Sequence, residues 1–150
     1  MGTIEEEIKQ KKFQSEQHKA IVNLMYTSSW LYNQNSARLK KFGITPEQFN
    51  VLRILRGSHP TPLMLLEITN RMIDKNSNAT RLVEKLRVKG FVKREICPNN
   101  RRQVDILITD KGLQLLAKID IDQKEWIEMQ GKLNNTDAKE LNRLLEKLRS

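Results

Sequence analysis

No proline or glycine occurs between Thr3 and Phe42. A stretch that long without a breaker reads as one helix over about residues 5–41. Along it Ile21, Leu24, Met25, Ser28, Leu31, Tyr32, Asn35 and Leu39 recur at the spacing of a single helical face. A helix of that length cannot bury its stripe inside a chain of 150 residues, so part of the stripe is expected to pack on a partner chain. The apolar fraction of 38% is low but sufficient for a core, which suits an elongated or oligomeric shape.

Beyond this helix, local signals divide the chain into short elements. Gly43 is a helix stop. Thr45, Pro46 and Gln48 supply an N-cap, a first-turn proline and a capping box for a helix to about Arg56, with Phe49, Leu52 and Leu55 inward. Gly57 to Pro60 reads as a loop. Thr61-Pro62 repeats the cap signal for a short helix to about Asn70 that carries Leu63, Leu66 and Ile68. Met72 to Lys75 reads as a turn. A further helix is expected from about Asn76 to Lys89, with Ala79, Leu82, Val83 and Leu86 inward and Gly90 at its end. Phe91–Ile96 and Gln103–Thr109 then read as strands joined by the turn-rich basic loop Cys97–Arg102. Thr109 and Asp110 open a helix to about Gln130. A last helix starts at Thr136-Asp137 and carries Leu141, Leu144, Leu145 and Leu148. The expected fold is mainly α with a small β-hairpin wing, an α+β class.

Charge sharpens the picture. The formal net charge is +9. Between Arg71 and Arg102 ten basic residues face three acidic ones, a net of +7, so nearly all of the excess sits in one fifth of the chain. A localised positive field inside a structured segment points to a polyanionic partner, nucleic acid first. Short helix, turn, second helix and basic hairpin is the order of a winged helix-turn-helix. The second helix of such a motif enters the DNA major groove, and a hairpin beside it reaches the minor groove. Lys75, Asn76, Ser77, Asn78, Thr80, Arg81 and Lys85 are placed on the outer face of that second helix. Asn can pair with adenine and Arg with guanine, while Ser77 and Thr80 suit phosphate oxygens. Asp74, Asn76 and Ser77 can equally serve as helix caps. Glu84 and Glu95 are expected to pair with neighbouring basic side chains.

The run Asp74-Lys-Asn-Ser-Asn-Ala-Thr-Arg-Leu-Val-Glu-Lys-Leu-Arg-Val-Lys-Gly-Phe-Val-Lys-Arg94, with Asn99-Asn-Arg-Arg102 and Ile108-Thr-Asp-Lys-Gly112, resembles the MarR family of bacterial transcriptional regulators. The resemblance extends over essentially the whole chain. It implies a single domain over residues 1–150, with dimerisation helices at 1–44 and 113–150 around a winged helix-turn-helix lobe at 45–112. It also implies a homodimer that binds double-stranded DNA at a palindromic operator, commonly as a repressor released by a small aromatic or phenolic effector. In the family an Asp-x-Arg motif holds the wing arginine. Here Asn100 takes the acid's place before Arg101 and Arg102, and Arg102 carries over as the minor-groove residue. Tyr26 and Trp30 are implied to border an effector cleft between the dimerisation helix and the DNA-binding lobe.

Other functions find less support. No run approaches the ~18 apolar residues of a membrane helix. The acidic Met1–Glu7 segment lacks the apolar core of a signal peptide, so a cytoplasmic location with no membrane partner is expected. The single Cys97 excludes an internal disulfide framework and reads as incidental. His18 and His59 have no partner at a ligand spacing, and no metal or cofactor is expected. No catalytic triad, phosphate-binding glycine loop or dinucleotide motif is present, so an enzyme is not expected. The competing reading is a winged-helix module that binds protein or RNA without operator recognition.

Overall fold

The computed structural model describes residues 2–129 and 131–150. Met1 and the helix end expected at Gln130 lie outside the described residues. The expected single helix over residues 5–41 is two: α1 (Ile4–Glu7) and α2 (Glu16–Lys40). Ser15 makes the break. It is extended and its hydroxyl accepts the His18 N–H at 3.1 Å, so a local cap replaces helix continuation. Lys9, upstream, takes a positive φ of 56°. The chain between them folds α1 back on α2, where Tyr26 donates to Glu7 at 2.7 Å and Lys19 pairs with Glu5.

The next helix, α3 (Pro46–Ser58), starts where its capping residues place it. The Thr45 hydroxyl accepts the Gln48 N–H at 3.2 Å, and Gln48 returns a carbonyl to the Thr45 N–H at 3.0 Å. It runs two residues past Arg56, through Gly57 and Ser58. Thr61-Pro62 does not open a helix. Leu63 and Met64 form a short strand, β1 (Leu63–Met64), and only then does α4 (Leu65–Arg71) begin. The strand exists because a distant segment pairs with it: Leu63 lies opposite Ile106 and Met64 opposite Asp105.

The second helix of the motif is α5 (Ala79–Val88), shorter than expected. A hairpin of β2 (Val92–Cys97) and β3 (Asn100–Ile108) follows, and β3 is the centre of an antiparallel sheet ordered β1-β3-β2. Thr109 then caps α6 (Asp110–Met129), accepting the Gly112 N–H at 3.2 Å and donating to the Gly90 carbonyl at 2.7 Å. Asn134 caps the last helix, α7 (Asn135–Arg149), one residue ahead of the expected Thr136 start.

One core holds the lobe together. Leu52 and Leu55 of α3, Ile68 of α4, Leu86 of α5, Ile106 of β3 and Leu116 and Ile119 of α6 are fully buried, with Leu39 at the end of α2. Helix α6 comes close to the hairpin root because residue 112 is glycine. A Cβ there would lie 2.4 Å from the Phe91 carbonyl oxygen and 2.7 Å from an Ile108 side-chain carbon.

A charged cluster ties α2 to α6. Arg38 donates to Asp122 at 2.8 Å and to Asn35 at 2.7 Å, and its guanidinium lies 5.3 Å from the centre of the Trp126 ring. Lys41 reaches the other Asp122 oxygen at 3.0 Å. The Arg38 hydrogen bond, supported by Lys41, holds the Asp122 carboxyl below the ordinary aspartate range.

Candidate nucleic-acid interface

The approach to α5 is built from short-range hydrogen bonds. Asp74 accepts the Asn76 N–H on its carboxylate at 2.9 Å, and its carbonyl accepts the Ser77 N–H at 3.2 Å. Asn78 then caps the helix by accepting the Arg81 N–H at 3.1 Å. Lys75, Asn76 and Ser77 were expected on the helix, and this turn places them in the loop before it. Of the cap candidates Asp74, Asn76 and Ser77, none caps α5; Asn78 does. Lys75 bonds the Asn70 carbonyl. Asn76, Asn78, Thr80, Arg81 and Lys85 are exposed, while the Ser77 hydroxyl is buried with no partner among the described residues.

At the wing the sequence expectation also shifts. Asn100, Arg101 and Arg102 were expected in the loop, but they belong to β3. The register is broken there. Ile96 pairs with Val104, yet the next residue, Cys97, pairs with Asn100, so Arg101, Arg102 and Gln103 bulge out between them. Bulges re-aim side chains and raise local twist. The Asn100 oxygen accepts the Arg102 backbone N–H at 3.1 Å. It therefore orders the backbone that carries the arginine rather than the guanidinium.

Ion pairing sorts the basic residues of this lobe. Glu84 binds Arg87 through two hydrogen bonds, at 2.7 and 3.0 Å, and faces Arg94 at 3.6 Å. Those contacts, the Arg87 hydrogen bond foremost, lower the Glu84 pKa. Glu95 pairs with Lys93 at 3.0 Å. Both acids thus pair with neighbouring cations, as their positions in the chain suggest. Among the described residues Arg81, Lys85, Arg101 and Arg102 join no ion pair and remain exposed. Arg53, Arg71, Lys75, Lys89 and Lys111 are likewise exposed and join no ion pair among the described residues, so helix and wing both present uncompensated cations suited to phosphate and base edges.

The family model described as "MarR family" matches residues 44–104, the segment from α3 through the wing. The solved MarR transcription factor from Planctomyces limnophilus is 32% identical, with 90% of this chain and 98% of that chain covered at a TM-score of 0.69. The chain belongs to the MarR family. The HTH-type transcriptional repressor IacR of Pseudomonas putida is 30% identical over 117 residues, 77% of this chain and 69% of IacR. The Bacillus subtilis HTH-type regulator YkoM is 36% identical over 80 residues, 53% of this chain; the match spans about half of YkoM, 51%.

Outside the lobe, Tyr26 and Trp30 line a crevice of about 140 Å³ with Gly2, Ile4, Glu7, Asn23 and Thr27. Its other wall is α1, which sequence reasoning had merged into the long helix, rather than the lobe. Asn50 also belongs to the architecture of the lobe. It sits among the buried residues of α3, and its side-chain oxygen accepts the Ile73 N–H at 2.8 Å, 23 residues away. Its only signal was an amide inside an apolar run, Phe49-Asn-Val-Leu52.

Proposed function

We propose that this MarR-family protein is a homodimeric, sequence-specific DNA-binding regulator that acts as a repressor and leaves its operator on binding a small aromatic effector. The observation that carries the reading is the set of exposed, unpaired cations Arg81, Lys85, Arg101 and Arg102 on a winged helix-turn-helix. The repressor direction draws on the likeness to IacR, which is named as a repressor. The same fold meets DNA in Staphylococcus aureus MepR, 18% identical at a TM-score of 0.71. It holds 2,4-dichlorophenol in the organohalide-sensing RdhR, 16% identical at a TM-score of 0.79.

What α7 leaves bare supports the dimer. None of its residues is buried within the chain, yet Leu141, Leu144 and Leu148 form an apolar stripe. Isolated helices of about 15 residues are marginal in water, so this stripe needs a cover. Ile21, Met25 and Leu31 of α2 and Ile121 and Ile127 of α6 are exposed in the same way. A second copy supplies matching faces, and light scattering on the purified protein should return twice the chain mass. For the effector, Tyr26 and Trp30 offer aromatic faces. The crevice is close to the roughly 150 Å³ that holds a single benzene-sized ring, so a larger aromatic compound bound there would part α1 from α2. Addition of such a compound should quench Trp30 and release DNA together.

Selection from a random duplex pool, followed by binding on the winning sequence and on scrambled DNA, tests the central reading. Failure to enrich any sequence at moderate salt sinks it. On the selected operator Arg81→Ala should lose about 1–3 kcal/mol, and less on scrambled DNA, because an arginine pairing with guanine carries discrimination. Equal losses on both would reduce Arg81 to a phosphate contact. Log affinity should fall steeply with log salt, at a slope of roughly 0.9 per phosphate neutralised. A flat salt profile contradicts the electrostatic argument. Half-sites should lie about 34 Å apart, one turn of DNA.

A further inference from the structure

We infer that Asn50 is a positioning residue for base reading: its side-chain oxygen fixes the loop that delivers the N-terminus of α5. The inference rests on the DNA-binding reading above. Asn50 is 5% exposed. Its oxygen is identified by the Ile73 N–H it accepts, which leaves the amide nitrogen buried with no acceptor among the described residues. A buried donor without an acceptor is costly, and a leucine in this apolar run would avoid that cost. What asparagine provides and leucine cannot is an acceptor for the Ile73 N–H.

That bond lies at the hinge of the motif. Met72 seats the chain in the core through its side chain. The Ile73 side chain is 80% exposed, so no burial of its own holds it in place. Immediately after it, the Asp74 bonds to Asn76 and Ser77 and the Asn78 cap make a locally closed turn. The turn is held at its far end by buried Ala79 of α5, and its near end is fixed on α3 at Ile73 by the Asn50 bond. Lys75, Asn76 and Asn78 lie between these two anchors, and Arg81 follows in the first turn of α5. Losing the Asn50 acceptor frees the near end of the turn to shift against α3. Phosphate contacts tolerate such a shift because a charge needs proximity, whereas base-edge pairs need direction.

The test compares Asn50→Leu and Asn50→Asp with the unaltered protein on the selected operator and on scrambled duplex. Melting temperature and Ile73 amide exchange are recorded alongside. Asn50→Leu should lower the operator-to-scrambled affinity ratio about tenfold, the size of one lost base contact, with scrambled binding unchanged. Asn50→Asp keeps an acceptor oxygen in the same place and should recover most of the ratio. An unchanged ratio in Asn50→Leu overturns the inference, and so does a parallel fall on both duplexes that follows the melting temperature. If Asn50→Leu does not fold, the unaltered protein decides: its Ile73 amide should exchange as slowly as those of α3, and fast exchange overturns the inference. If the unaltered protein itself prefers no sequence, the DNA-binding reading falls, and Ile73 protection still reports whether Asn50 holds the loop.

Discussion

Asp122→Ala should destabilise the protein by about 3 kcal/mol, the low end for breaking a buried ion pair. The lower figure applies because the Asp122 side chain keeps 22% of its exposure, while that of Arg38 keeps 6%. The variant leaves the Arg38 guanidinium among Asn35, Trp126 and the end of α2 with no opposing charge. For a chain of this size the melting temperature should fall by roughly 6–12 °C. Lys41→Ala, which removes the exposed partner of the same carboxylate, should change stability by less than about 1 kcal/mol. The effect also has a pH signature. The folded-state pKa of Asp122 lies below its ordinary value of 3.8. Its contribution is therefore complete above that value and disappears as pH falls through the folded pKa. The gap between the unaltered protein and Asp122→Ala should close only in that acidic window. A gap that closes between pH 5 and 7 would point to another group.

Gly112→Ala should be comparably damaging for a different reason. Its new methyl would stand 2.4 Å from the Phe91 carbonyl oxygen, a backbone atom that already accepts the Thr109 N–H at 3.0 Å. Neither group can step aside alone, so α6 has to lift from the hairpin root. Overpacking of this kind costs about 1–3 kcal/mol or more. The wing should respond as well, since Thr109 and Gly90 are joined at the same junction, and weakened operator binding is expected beside the lower melting temperature. Gly57 is the control. It also lies in a helix, but a Cβ there meets nothing within 4 Å. Gly57→Ala should leave stability unchanged or raise it by about 0.4–1 kcal/mol. Equal losses at both glycines would mean that helical glycine, and not the contact with Phe91, matters.

What could be read from the chain and what could not divide along a physical line. The cap of α3 was legible because Thr45, Pro46 and Gln48 act within four residues. The wing was legible as a turn-rich basic loop between two strands, of which Gln103–Thr109 alternates and Phe91–Ile96 does so only loosely. Where two local signals competed, reading failed. The absence of proline and glycine before Phe42 argued for one helix, and the Ser15 cap prevailed over it. Asn76 looked like a helix start, yet the Asp74 turn absorbed it and moved the start to Ala79. Contacts between distant residues left no trace in the sequence. Leu63 is a strand residue only because Ile106 lies opposite, and Arg38 is buried only because Asp122, 84 positions on, neutralises it. Asn50 belongs to the same group. The charge excess was legible down to residues 71–102, and so was the pairing of Glu84 and Glu95 with neighbouring bases; which bases they take, Arg87, Arg94 and Lys93, came from the folded geometry.

The broken register of the hairpin separates two design variables. From Val92 opposite Ile108 to Ile96 opposite Val104 the ladder is regular, and the mismatch is confined to the three residues beyond it. Reach and footing are therefore independent. Each pair of residues added to or deleted from the tip, one per strand, lengthens or shortens the arm by about 3.3 Å, while the inward alternation at the root stays intact. A relative could retune how far its arginines extend along the double helix without rebuilding the core that carries them.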